Sequence, residues 1–181
     1  MNTQQPSVLK TSRLLLRCWH NSDRIAFAEM NSHPEVMHDL GGPMDRETSD
    51  RKFDRYAAVF KQYGFGRWVI ENHEGVFLGY AVIMPVDEDH VLGQHYEIGW
   101  RLNRDAWGKG YATEAASAAL IDFFNRVKVE EVLSYTAPDN LRSQAVMTRL
   151  GLTRDAERDF EAHYDGYGKW RGLVWVAQVQ S

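Results

Sequence analysis

YEIGWRLNRDAWGKGYATEAASAALIDFFNRV, residues 96–127, decides the fold, because across it the apolar period changes from that of a strand to that of a helix. Tyr96, Ile98, Trp100 and Leu102 alternate with Glu97, Gly99 and Arg101, so the apolar set shares one strand face and Glu97 lies on the other. From about Gly110 to Val127, the positions Ala112, Ala116, Leu120, Phe123, Phe124 and Val127 form the buried stripe of an amphipathic helix. Gly108 and Gly110 stand at its mouth. Residues without a Cβ let the backbone curl and come close to a bulky anion. The first helical N–H groups have no intrahelical partner, and the helix dipole favours negative charge there. A pyrophosphate fits such a mouth, with Lys109 as a flexible cation beside it; an ordinary turn and cap fits these few residues equally well. Two other phosphate-binding patterns fit worse. A dinucleotide fingerprint needs a third glycine where Thr113 stands, and about five residues separate strand from glycines here. A P-loop needs four residues between its glycines, then Lys and Ser or Thr, and that pattern is absent.

Upstream, Arg13–Trp19 reads as a first strand, and Asn21–Ser22–Asp23 supplies caps for a helix running to about Asn31. His33–Pro34 interrupts it, and Gly41–Gly42–Pro43 marks a loop. Phe53, Tyr56, Ala57 and Phe60 recur at three and four within a helix from Glu47 to Tyr63, which Gly64–Gly66 ends. Arg67–Asn72 and Val76–Met84 form a hairpin about Asn72–Gly75. Downstream come a strand at Val132–Pro138, a helix at Asn140–Leu150 stopped by Gly151, and a strand pair, Leu152–Phe160 with Gly172–Val179, connected through Asp165–Gly166. The order β-α-α-β-β-β-α-β-α-β-β predicts α/β layers around a mixed sheet.

Bulk properties narrow the function. The 181 residues suit one domain, with no repeat or linker to divide them. A net charge of −4 argues against general nucleic-acid binding and mildly favours a cationic substrate. Cys18 is the sole cysteine, which excludes an internal disulfide and a multi-thiolate metal site. No apolar run approaches the roughly 20 residues that span a bilayer. Met1–Lys10 lacks the order of a signal peptide, so the expected compartment is the cytoplasm.

WGKGYATEA (107–115), preceded by EIGWRL (97–102) and followed by Asn140-x-x-Ser143 and Arg149-Leu150-Gly151-Leu152, resembles the GNAT acetyltransferase superfamily. Within it, the chain is similar to the RimJ/RimL branch of ribosomal-protein N-terminal acetyltransferases, whose first strand Thr11–Arg17 (TSRLLLR) also resembles. The resemblance implies one domain over residues 8–181, with a mixed, mostly antiparallel sheet of about seven strands flanked by about four helices. It implies acetyl-CoA as co-substrate, no metal, a primary amine as acceptor and compatibility with a homodimer.

In the family pattern Gln/Arg-x-x-Gly-x-Gly/Ala, the matching residues are Trp107, Gly110 and Ala112. The resemblance assigns the CoA pyrophosphate to the backbone amides of Trp107, Gly108, Lys109, Gly110, Tyr111, Ala112 and Thr113. Trp107 departs from the usual Gln or Arg, which removes a helping side chain and leaves the backbone cradle. The strand end near Leu102 would pair with the pantetheine arm and offer an N–H to the thioester carbonyl. Asn140 matches an asparagine that binds the pantetheine region and is also a good N-cap. Arg149 sits where a basic residue approaches the CoA phosphates, or is a solvated helix charge.

Acetyl transfer needs an unprotonated amine and a proton for the leaving thiolate. Many GNAT members carry a tyrosine seven residues after the asparagine; here that residue is Met147, which cannot donate. Ser143 is the candidate for assisting the sulfur, against an ordinary first-turn serine. Glu97 is the candidate base, its pKa raised if the strand shields it, against a solvent-facing carboxylate. His95 is a second candidate, and Glu114 reads as a dipole-complementing residue. Over the acceptor groove lie His33, Glu35, His38, Asp39, Asp45 and Glu47, whose carboxylates would attract an ammonium or are plain surface charge, and Tyr164–Trp170 would wall the other side. Gly172 stands where RimL-like proteins often have an aspartate. The readings that compete are an acetyltransferase acting on a peptide α-amine or small amine, one acting on an aminoglycoside or polyamine, and a non-catalytic acyl-CoA-binding module.

Overall fold

In the computed structural model, residues 8–164 and 168–179 are described. Met1–Ser7 and the connection at Asp165–Gly166 lie outside them. The chain lays down β1 (Leu9–Lys10) and β2 (Leu14–Arg17), then α1 (Asp23–Ser32), a one-turn α2 (Pro34–Met37) and α3 (Arg46–Tyr63). β3 (Arg67–Asn72), β4 (Phe77–Val86) and β5 (His95–Leu102) follow. α4 (Tyr111–Arg126) crosses to β6 (Glu131–Thr136), and α5 (Leu141–Arg149) leads to β7 (Thr153–Tyr164) and β8 (Gly168–Gln178). The strands form one sheet in the order β1-β2-β3-β4-β5-β6-β8-β7, antiparallel except between β5 and β6.

Local chemistry sets the element ends. Asp45 accepts the Thr48 amide at 2.7 Å to start α3, and Gly64, at φ 69°, ends it in the left-handed conformation. Asn72 accepts the amides of Glu74 and Val76 at 3.0 and 2.9 Å, closing the β3–β4 turn. Two short elements add to the order expected from periodicity. β1 has two residues and α2 four, both below the length at which a period shows. Pro34 opens α2 at its N-terminus, where its missing N–H does no harm.

The two faces of the sheet have different covers. On one, Trp19, Phe27, Phe53, Tyr56 and Tyr80 pack with ring centroids 5.1–6.3 Å apart beneath α1 and α3. On the other, α4 buries Ala115, Ala116, Ala119, Leu120 and Phe123 against β4 and β5. Its stripe is turned toward Ala115 and Ala119, and Ala112, Phe124 and Val127 are half-buried at its flank. Arg17 is buried between Asp23 (2.8 Å) and Glu71 (2.6 Å), which joins α1 to the β2–β3 pair. Gly79 is required where β4 and β5 meet, since a Cβ there would lie 2.1 Å from the Arg101 carbonyl oxygen.

The β5–β6 junction positions the site. These parallel strands register at one pair, Glu97 opposite Leu133. The buried Ser134 hydroxyl donates to the Ile98 carbonyl at 2.8 Å and stitches the apex. Beyond it, residues 98–102 and 134–137 line opposite sides of a cleft.

Candidate active site

The cleft opens into a cavity of about 1260 Å³, lined by Glu97, Leu102, every residue from Trp107 to Thr113, Asn140, Ser143 and Arg149. Residues read from separate motifs are thus gathered into one space. His95 and Glu114 are outside this lining.

At the helix mouth, Gly108 and Gly110 have φ of 74° and 80°, and Gly110 caps α4 with no side-chain acceptor at its end. A Cβ at Gly108 would meet nothing within 4 Å, so conformation, not contact, requires glycine there. The Thr113 hydroxyl oxygen is buried without a hydrogen-bond partner. An orphaned hydroxyl beside uncapped amides fits a phosphate-bearing group, and the amides of 107–113 would hold it. Arg13 braces the loop from below: its guanidinium donates to the Lys109 carbonyl at 2.9 Å and pairs with Glu114 at 2.6 Å. Burial pushes the Glu114 carboxyl up, but hydrogen bonds from Thr11, Arg13 and Ser12 outweigh it and hold it below its ordinary range. Glu114 is therefore an anchor for the β1–β2 turn as well as a helix-terminal charge.

Trp107 anchors itself through its indole N–H to the Leu102 carbonyl at 3.0 Å. The Arg142 guanidinium lies 3.9 Å from the centre of its ring, and that of Arg104 4.8 Å. Arg142 also lines the cavity, so the indole recruits a cation in place of the usual Gln or Arg side chain. Asn140 caps α5, accepting the Ser143 amide at 3.1 Å, and donates to Asp39 at 2.8 Å. The Ser143 hydroxyl makes no hydrogen bond to another described residue. Met147 is buried one turn further on.

Glu97 lies on the cavity floor, where Tyr135 donates its hydroxyl to the carboxylate at 2.9 Å. Burial raises the Glu97 pKa, and the Tyr135 hydrogen bond and the charge of Arg67 only partly offset it. His95 instead bonds the Gly93 carbonyl at 2.7 Å and packs against His90 and Tyr135; burial lowers its pKa, and its Nε2 is buried without a partner.

The carboxylates expected to draw an ammonium are otherwise engaged. Glu35 pairs with Arg104 and Glu47 with Arg51, Asp45 caps α3, and Asp39 holds Asn140. Of that group, Glu35 and Asp39 line the cavity. A Cβ at Gly172 would lie 2.6 Å from ring carbons of both Phe160 and Trp170, so ring packing excludes an aspartate there. Among the described residues, no cluster of three or more His, Cys, Asp or Glu is placed to hold a metal, and no helix is long and apolar enough to cross a membrane.

A family model described as "Acetyltransferase (GNAT) domain" matches residues 13–153. The N-acetyltransferase YnaD of Bacillus subtilis is 30% identical over 150 residues, 81% of this chain and 83% of YnaD. A GNAT-family acetyltransferase structure from Bacillus anthracis superposes with a TM-score of 0.80 at 26% identity, covering 95% of this chain and 98% of that one. Mycobacterium smegmatis RimJ, solved in complex with CoA-disulfide, shares the fold at a TM-score of 0.74 and 19% identity, covering 96% of this chain and 88% of RimJ.

Proposed function

The chain belongs to the GNAT acetyltransferases, enzymes that use acetyl-CoA to acetylate amines, and from that premise we propose direct transfer to the primary amine of a peptide N-terminus or small molecule. The observation that carries this is the convergence of an uncapped glycine mouth, a separated parallel strand pair and the shielded Glu97 on one cavity. Acetyl-CoA supplies an activated acyl group. The amides of 107–113 hold its pyrophosphate, with Lys109, Arg142 and Arg149 as cations at the rim. The edge of β5 toward Leu102 receives the pantetheine arm, and Asn140 and Ser143 border its sulfur. Glu97 takes the proton that the attacking nitrogen releases, either directly or through a water. A carbon–nitrogen bond forms as the carbon–sulfur bond breaks, and Ser143 donates a hydrogen bond to the departing thiolate, which takes its proton from solvent as Glu97 returns the one it received.

Met147, in place of a donor, favours one other reading, a module that binds acyl-CoA without turnover. Release of free thiol from acetyl-CoA across a panel of amines separates the two. Turnover with at least one amine, reduced in Ser143→Ala by roughly tenfold or more at similar CoA affinity, supports the proposal. CoA binding without thiol release on any amine supports the module.

A further inference from the structure

Three cations line one part of the cavity without an ion pair among the described residues. Lys52 comes from α3, Arg67 from β3 and Arg101 from β5, and they surround the rings of Tyr56 and Tyr80, which meet edge to face with centroids 5.7 Å apart. The Arg67 guanidinium lies 3.7 Å and the Lys52 ammonium 5.8 Å from the centre of the Tyr56 ring, and the Arg101 guanidinium 5.6 Å from that of Tyr80. Their side-chain hydrogen bonds all go to sulfur. Lys52 donates to Met44 at 4.0 Å, Arg67 to Met84 at 3.2 Å and Arg101 to Met37 at 3.5 Å. A thioether is a weak acceptor. Among the described residues, none of the three forms an ion pair, and the Arg67 Nε is buried with no partner at all. Burial also lowers the Lys52 pKa to about 8, with Arg101, Arg67 and Arg55 adding to the fall and Tyr80 opposing it.

Partly buried charges are costly unless an opposite charge or strong acceptors offset them. This chain has a net charge of −4 and acidic side chains in surplus, yet among the described residues none forms an ion pair with these three; the carboxylate their charge reaches is Glu97, whose pKa, raised by burial, Arg67 lowers in part. Guanidinium groups match the paired oxygens of a carboxylate or phosphate. Glu97 and Arg101 share a strand face, and at about 3.3 Å per residue their Cα atoms are roughly 13 Å apart. Two long side chains reaching inward leave room for a small molecule between them. Met84, which holds Arg67, sits directly opposite Glu97 in the β4–β5 ladder.

We propose that the acceptor is a small amine bearing its own carboxylate or phosphate-type anion, which Lys52, Arg67 and Arg101 seat while its amino group faces Glu97. This rests on the acetylation proposed above and narrows its acceptor. Polyamines and aminoglycosides, with several positive charges, are repelled by the same three residues.

The test is thiol release from acetyl-CoA with matched acceptors: L-amino acids, their carboxamides, 2-aminoethylphosphonate and spermidine. An anionic acceptor is expected to exceed the carboxamides in kcat/KM by roughly tenfold or more, through KM. The amino-acid and phosphonate arms decide which anion fits. Lys52→Met and Arg101→Gln are each expected to shrink the acid-to-amide ratio, and two variants guard against one that misfolds. Carboxamides or spermidine serving as well as the acids would overturn the inference and leave acetyl transfer standing. If no amine releases thiol, acetyl transfer fails, and calorimetry with the N-acetylated acids and amides decides the anion site. Heat from the acids alone supports it; equal heat, or none, overturns it.

Discussion

Glu97 is held between opposing influences, and each can be removed separately. Burial raises its pKa, and the Tyr135 hydroxyl, donating at 2.9 Å, stabilises the anion and pulls it back. A base works ionised, so the acidic limb of the kcat/KM–pH profile is expected above the ordinary carboxylate range. Tyr135→Phe keeps the ring and deletes the donor, which raises the Glu97 pKa further. The limb should then move to higher pH, with activity lost first at the acid end. Should the limb hold still in Tyr135→Phe, another group or water takes the proton. Glu97 itself was legible in the sequence, because the strand alternation singles it out. Tyr135 was not, because it lies 38 residues away across a parallel strand pair whose register no local pattern encodes. Arg142 on Trp107, and Lys52, Arg67 and Arg101 around two tyrosines, were hidden for the same reason.

At the scale of elements, α4 and the β1–β2 turn support each other through Glu114. Three consecutive residues, Thr11, Ser12 and Arg13, donate to its carboxylate, and Arg13 also holds the Lys109 carbonyl in the glycine loop. Because the Glu114 pKa is lowered in the fold, its stabilisation is full above the ordinary carboxylate pKa and is lost as pH falls through the lowered value. Glu114→Gln should therefore cost about 1 kcal/mol near neutral pH, a figure kept small by the exposure of Arg13. That difference should close in strong acid; chemical denaturation across pH measures it, and a pH-independent difference would deny the ion pair its role. Long elements were legible because several turns of period are hard to mimic: α3, α4 and the β3–β4 hairpin stand within a few residues of their expected bounds. β1 and α2 are too short to announce themselves, and the packing of their neighbours creates them.

For the molecule as a whole, charge sign and charge placement differ. A chain of net charge −4 lines its cavity with Lys52, Arg67, Arg101, Lys109, Arg142 and Arg149. Such a concentration within an acidic body draws a polyanionic co-substrate inward. The kcat/KM for acetyl-CoA should fall severalfold as salt rises from about 0.05 to about 0.5 M, where the screening length shortens to a few ångströms. A flat dependence would show that these charges bind without steering. The sheet that carries them has a mechanical weakness at its centre. Five strands on one side and three on the other share a single backbone-registered pair and two side-chain hydrogen bonds, from Ser134 to the Ile98 carbonyl and from Tyr135 to Glu97. The two leaves meet at this short seam and diverge beyond it. Strands that diverge from so short a seam multiply any angular change there, so the two hydroxyls that bridge it, of Ser134 and Tyr135, bear on how wide the distant entrance stands.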